Sequence, residues 1–269
     1  MKAVTYPRFK LQQAGLLSEE GLGYTWMCNV FGHFILVRLL YYIRCTHALI
    51  SRQTRRLQPV LQKSPWPARV VWTTSIDVEE DLAAFDFDDW QLVKTKRPYE
   101  TSKYQISLVA KTLDIASASS GNPVRHFVTH PGVTGTNIMS EYLGRIRHFL
   151  MILSFYIVSG LPVLTHSILK FLQARLLGSP NHPLAWISGA IAAVHVCLVN
   201  LVLLCAPEEP VMYASRATRF GKAYVGKSDV PMWSEYKVKG EGLVKRMDGL
   251  LESLLMQRKL EEVAKGELN

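Results

Sequence analysis

Residues 69–75 read RVVWTTS. Valines and a tryptophan in so short a run, preceded by Pro65 and Pro67 and ending on hydroxyl residues, predict a strand over Arg69 to Thr74. It is of the continuously apolar kind found at the centre of a parallel sheet. Downstream, Asp77 to Asp89 carries seven acidic residues among aromatics, the composition of a surface loop. Ile106, Leu108, Val109, Leu113 and Ile115 then mark a helix over 99–118, and Ser117 to Pro123 a turn. A second strand, Val124 to Thr129, runs directly into His130-Pro131-Gly132. Strand, helix, strand is the order of a doubly wound α/β domain, whose ligands bind beyond the carboxyl ends of the strands. Function is therefore to be sought after residues 74 and 129.

Upstream, Tyr24 to Ile43 predicts a buried helix interrupted by Asn29, His33 and Arg38. Arg44, Arg52, Arg55, Arg56 and Lys63 follow as a solvated face and loop. The start, MKAVTYPRFKLQQ, has no apolar run of signal-peptide length. With 269 residues there is chain enough for a sizeable core. Mean hydropathy, +0.08, is high for a freely soluble enzyme. The excess lies in Phe149 to Leu169 and Leu184 to Ala206, which carry no Asp, Glu, Lys or Arg. Each is long enough to cross a bilayer as a helix. The first, flanked by Arg145, Arg147, Lys170 and Arg175, suits contact with an anionic leaflet; the second, with Ser188, Gly189, Ala190, Ala192 and Ala193, suits a core helix equally well. From 235 to 264, Leu243, Met247, Leu250, Leu251, Leu254 and Leu255 form an apolar stripe of helical period. Such a stripe packs on its own domain or on a partner.

Thirty-one Lys and Arg against 22 Asp and Glu give a net charge of +9, compatible with an anionic cofactor or membrane. The charge is dispersed and lacks a nucleic-acid recognition motif, so nucleic acid is not expected as a partner. The cysteines Cys28, Cys45, Cys197 and Cys205 show neither C-x-x-C spacing nor zinc-like His neighbours. That predicts no metal site and a reducing, cytosol-facing environment.

The chemistry is concentrated in YETSK, residues 99–103, where helical spacing puts the Tyr99 phenol and the Lys103 ammonium one turn apart. A cation there stabilises phenolate and makes Tyr99 a candidate proton donor and acceptor. Ser75, at the end of the first strand, is placed to hydrogen-bond a substrate carbonyl. Gly132 after the second strand lets the backbone approach a flat ligand. Asn29, inside an apolar helix, needs hydrogen-bond partners.

In the order MCNVFGHFILVRLL, VVWTTS, RPYETSK and HPGVTGTNI, the chain resembles the short-chain dehydrogenase/reductase superfamily, and more closely the fungal 3-keto-steroid reductases of sterol C-4 demethylation. Ser75 and Tyr99 stand 24 positions apart, farther than the superfamily usually sets them. The resemblance implies an NADPH-dependent reduction of a sterol 3-ketone in ergosterol biosynthesis. Tyr99 would donate the proton and Ser75 hold the ketone oxygen. Lys103 would bind the nicotinamide ribose and lower the Tyr99 pKa, and Asn29 would order a water relaying protons to it. Pro131 and Gly132 would flank the nicotinamide, and Thr134, in place of the usual Val, and Thr136 would contact its carboxamide.

The resemblance also implies a lid or membrane-contact region after Thr136. The location implied is the cytosolic face of the endoplasmic reticulum membrane, with lipid droplets as an alternative. Partners would be the membrane and other enzymes of C-4 demethylation. The family's opening strand and T-G-x-x-x-G-x-G turn have no counterpart, since Gly15, Gly21 and Gly23 follow no hydrophobic strand. The expected fold is thus an incomplete Rossmann-like doubly wound parallel sheet, an N-terminally truncated form lacking the first strands and glycine-rich turn. Its expected domains are 1–235, including an apolar insert at 145–206, and a C-terminal amphipathic helix at 236–269. A non-catalytic membrane scaffold of the same complex is the alternative.

Overall fold

The computed structural model describes residues 10–45, 68–79, 86–121, 124–134, 180–181, 185–218 and 221–264. Thr136, the apolar stretch 149–169 and the basic segment from residue 46 to 63 lie outside the described residues.

The decisive stretch forms strand β1, Arg69–Thr73. It is followed by helix α2, Pro98–Ser119, and strand β2, Arg125–His130. Before β1, Tyr24–Trp26 is α-helical, Met27–Phe31 widens into a π-helical turn and Gly32–Cys45 resumes the α-helix; together they form α1. Helix α3 is Trp186–Leu198, and strands β3 (Val211–Ala217) and β4 (Ala223–Asp229) precede the long helix α4, Trp233–Ala264.

The sheet order is β1-β2-β3-β4, with the first three strands parallel and β4 antiparallel to β3. This is a mixed α/β, Rossmann-like architecture. The strand expected at the centre, β1, stands at one edge of the described sheet.

Helices α1, α2 and α4 cover one face of the sheet. There Trp26, Val30, Phe31 and Phe34 pack with Leu108, Val109, Met247 and the sheet residues Trp72, Val128 and Met212. Each fully buried Phe or Leu stabilises this layer by about 1.5–3 kcal/mol. Helix α1, expected to be buried, buries Trp26, Val30, Phe31, Phe34 and Val37, while Leu36 is 59% exposed. The C-terminal stripe packs on its own domain, with Leu243, Val244, Met247 and Leu251 in the core.

Helix α3 covers the other face, where Ala192 and Val196 meet Phe127 and Tyr213. Ser215 fixes it, its Oγ donating to the Gly189 carbonyl at 2.7 Å and accepting from the Ala192 amide at 3.1 Å. The stretch expected to be long enough to cross a bilayer is interrupted. Val199 turns to extended backbone, and Asn200 Oδ1 caps a short 3-10 turn, Leu201–Leu203. At about 1.5 Å per residue the helix covers roughly 20 Å, short of a hydrocarbon core of about 30 Å. No described helix is long and apolar enough to cross a membrane.

The acidic loop also departs from expectation. Asp89 is buried because its carboxylate accepts the amides of Val93, Lys94 and Thr95 at 2.9, 2.9 and 3.1 Å. Three backbone donors offset the desolvation of one anion. The turn so formed receives the N-terminal segment, whose Gln12 and Gly15 amides donate to the carbonyls of Lys96 and Val93 at 3.1 and 2.8 Å.

Candidate active site

The carboxyl ends of β1 and β2 lie side by side because Thr73 registers with Thr129. The Thr74 amide extends the ladder to the Thr129 carbonyl at 2.8 Å, and Thr74 Oγ1 donates to the Lys103 carbonyl at 2.8 Å. Pro98 opens α2 at a position where its missing N–H is no loss. The first two turns of α2 are thereby held against the end of β1.

This convergence unites three of the expected residues. Tyr99 and Ser75 share a hydrogen bond. Lys103 Nζ stands 5.9 Å from the Tyr99 ring centroid and donates to the Thr73 carbonyl at 3.3 Å. Asn29 occupies the π-helical turn of α1, a distortion frequent at functional sites. Its amide donates to Ser102 Oγ at 3.0 Å, and Ser102 in turn donates to the Tyr99 carbonyl at 2.7 Å. The Asn29 side chain thus braces the first turn of α2, and the Asn29 backbone carbonyl lies 3.1 Å from His33 Nδ1.

Burial pushes the Tyr99 phenol above its ordinary pKa; the Ser75 hydrogen bond pulls it back, and the charges of Asp77 and Glu100 push it further up. The lowering expected from Lys103 is outweighed, and burial lowers the pKa of Lys103 itself. The phenol therefore carries its proton at neutral pH, while the raised pKa lessens the driving force for giving it up.

A cleft of about 290 Å³ opens between the ends of β1 and β2 and helix α3, lined by Thr73, Thr129, His130, Pro131 and Thr134 and by Trp186, Gly189, Ala190, Ala192 and Ala193 of α3. Ser75, Tyr99 and Lys103 do not line it; Lys103 reaches its wall through the hydrogen bond to the Thr73 carbonyl. Gly132 adopts φ +67°, a left-handed conformation that favours glycine. At Gly189 a Cβ would stand 2.3 Å from Thr134 Cγ2. Gly189→Ala is therefore expected to displace Thr134 and to cost about 1–3 kcal/mol by overpacking. Urea denaturation checks this, and a parent-like midpoint would show that the helix stands farther off than described.

A dinucleotide fits this surface at one end. Lys103 and Tyr99 could take ribose hydroxyls, and Pro131, Gly132 and Thr134 could border a flat ring. Among the described residues no glycine-rich turn joins a strand to a helix, so none of them is assigned to the pyrophosphate. Gly23 serves packing instead, because a Cβ there would lie 1.9 Å from the Gln91 carbonyl oxygen. Among the described residues no group of three His, Cys, Asp or Glu side chains could hold a metal ion.

Sequence reasoning missed Thr74 and Ser102, although both flank singled-out positions and carry hydroxyls. It also missed the ion pair of Lys10 with Asp77, at 2.8 Å. No local pattern announces a pair so distant in the chain.

No protein-family model matches the chain. It is similar to the 3-keto-steroid reductase of Eremothecium gossypii, 28% identical over 230 residues, which are 86% of this chain and 54% of that protein. The 3-keto-steroid reductase of Schizosaccharomyces pombe is 28% identical over 232 residues, 86% of this chain and 56% of its own length. That of Saccharomyces cerevisiae is 28% identical over 232 residues, covering 86% and 54%. The chain spans about half the length of the curated relatives it matches. Over that stretch it is similar to the fungal 3-keto-steroid reductases.

Proposed function

We propose that this chain carries the catalytic half of an NADPH-dependent reductase that converts a sterol 3-ketone to the 3-hydroxyl. The observation that carries the reading is the meeting of Ser75, Tyr99 and Lys103 at the end of β1, with a hydrogen bond between the first two and the ammonium 5.9 Å from the phenol ring. NADPH, when bound, supplies the hydride. Tyr99 donates its proton to the oxygen that becomes the hydroxyl, and Ser75 orients that oxygen. Lys103 holds the ribose hydroxyls, while Asn29 keeps the first turn of α2 in place. Pro131, Gly132 and Thr134 would border the nicotinamide, and Thr136, outside the described residues, would contact its carboxamide as the resemblance implies. A membrane surface is the source of so apolar a ketone, and the cytosolic face of the endoplasmic reticulum is the location this reading favours.

A second reading, a non-catalytic membrane scaffold of sterol C-4 demethylation, draws on the exposed outer side of α3. Trp186, Ile187, Val194 and Leu198 stand out there, and Val202 and Leu203 follow in the next turn.

The full chain, supplied with NADPH and a 3-keto sterol in mixed micelles, should form the 3-hydroxyl sterol. Tyr99→Phe should slow this on the order of a hundredfold, the scale of one lost general acid. Equal rates would remove Tyr99 from the role of donor. Retention on anionic vesicles with neither NADPH binding nor turnover would replace the enzyme by the scaffold.

A further inference from the structure

We propose that Lys10 and Asp77 are a positioning pair for this site, fixing the Ser75 hydroxyl and bracketing the Tyr99 phenol with opposite charges. The catalytic consequence rests on the reading of Tyr99 as proton donor, whereas the pair itself rests on geometry.

The Asp77 carboxylate divides its two oxygens. Oδ1 meets Lys10 Nζ at 2.8 Å, and Oδ2 accepts the Ser75 hydroxyl at 2.8 Å. The Asp77 amide donates back to Ser75 Oγ at 3.3 Å, so the serine is held from both ends of one residue. The Lys10 and Asp77 side chains are only 15% and 27% exposed. Partial withdrawal from water makes such a pair stronger than a fully solvated one.

Lys10 reaches further, its Nζ standing 5.4 Å from the Tyr99 ring centroid, against 5.9 Å for Lys103. Cations thus approach the ring from the N-terminal segment and from its own helix. The anions facing it are Asp77, from the turn after β1, and Glu100, which lies 3.9 Å from Lys10 and 3.6 Å from Arg97.

A serine hydroxyl has one proton to give. With the proton directed to Asp77, Ser75 has a lone pair free for the Tyr99 O–H. When negative charge grows on the phenol oxygen, that same proton is drawn toward it and away from Asp77. The carboxylate therefore competes for the proton that a developing anion needs, and Lys10 moderates the competition by neutralising the carboxylate.

The test is the ionisation of Tyr99 in the ligand-free full chain, followed by NMR of Cζ-labelled tyrosine, the signal being assigned by its loss in Tyr99→Phe. Asp77→Asn should move the Tyr99 midpoint to lower pH. Lys10→Met should move it to higher pH, because the phenolate loses a cation and faces an uncompensated carboxylate. The double variant should fall between the two, and Lys10→Arg should keep the parent midpoint. Shifts of the same sign in the two single variants, or none in either, would overturn the proposal. Should Asp77→Asn not fold, the two Lys10 variants decide the matter, since a packing role would not separate Met from Arg in this direction. Reduction rates of Tyr99→Phe test proton donation separately, so either idea can fail alone.

Discussion

Replacing Asp114 with alanine is expected to cost about 3–5 kcal/mol of folding stability, the scale of breaking a buried charge network by removing one partner. Asp114, on α2, is fully buried. Arg125 donates to it from Nε at 2.8 Å and from Nη2 at 3.1 Å, the His126 amide donates at 2.8 Å, and Lys111 Nζ stands at 3.5 Å. Burial alone would raise the Asp114 pKa, but the Arg125 hydrogen bonds, the His126 amide and the Lys111 charge together hold it below the usual carboxylate value. Alanine would leave two cations and a backbone donor facing one another in the interior. Urea denaturation at neutral pH reads the loss directly. A cost below about 1 kcal/mol, typical of an exposed pair, would mean that water reaches this network in solution.

The same residues link stability to the site. The network ties α2 to the start of β2, and Arg125 also donates to the Cys205 carbonyl at 2.9 Å, beyond the end of α3. Arg69 at the start of β1 donates to the carbonyls of Val196 and Val199, each at 2.6 Å, satisfying acceptors that the end of α3 leaves open. The amino ends of β1 and β2 are therefore clamped by arginines to the helices on both faces. Their carboxyl ends, Thr73 to Ser75 and His130 to Gly132, are positioned by that clamp. Loosening it should disturb the site at a distance of one strand length.

How far the sequence could be read depended on whether a feature is local. β1, β2 and α2 were legible because β-branched runs and a 3.6-residue period are written in consecutive residues. β3 was not expected, since VMYASRA mixes small, apolar and charged residues; buried on both faces, it shows no alternation. Leu184 to Ala206 was legible as apolar but not as a helix that stops at Leu198, because the stop depends on Asn200 turning back to cap the next turn. Asp89 looked solvated because its partners are amides, which a sequence does not display. In the site, the helical spacing of Tyr99 and Lys103 was legible and the sign of the Tyr99 pKa shift was not. Burial and the neighbouring carboxylates, set by tertiary packing, outweigh the one cation visible in the motif.

Acid should destabilise this protein in part through His126. His126 lies on β2 with its ring fully buried, and its Nδ1 accepts the Trp72 indole N–H at 3.0 Å. Burial holds its pKa down at about 3, with Arg38, Arg125 and Lys111 adding to the depression and Asp114 opposing it. The ordinary value is 6.5. Between those two values the unfolded chain binds a proton that the folded chain refuses, so stability falls as the pH drops from 6.5 toward 3. The slope from this group alone is about 1.4 kcal/mol per pH unit. Asp114 adds its own loss only below the ordinary carboxylate range, because its folded pKa is lowered from 3.8. The interval from pH 6 to pH 4.5 therefore separates the His126 contribution from that of Asp114. Urea denaturation across that interval should show a steep fall in the parent and a much flatter one in His126→Gln. The variant should also start lower at neutral pH, by about 1–3 kcal/mol, because the Trp72 N–H loses a well-placed acceptor. Equal slopes in the two proteins would mean that His126 takes up its proton while folded, with Asp114 close enough to pair with it.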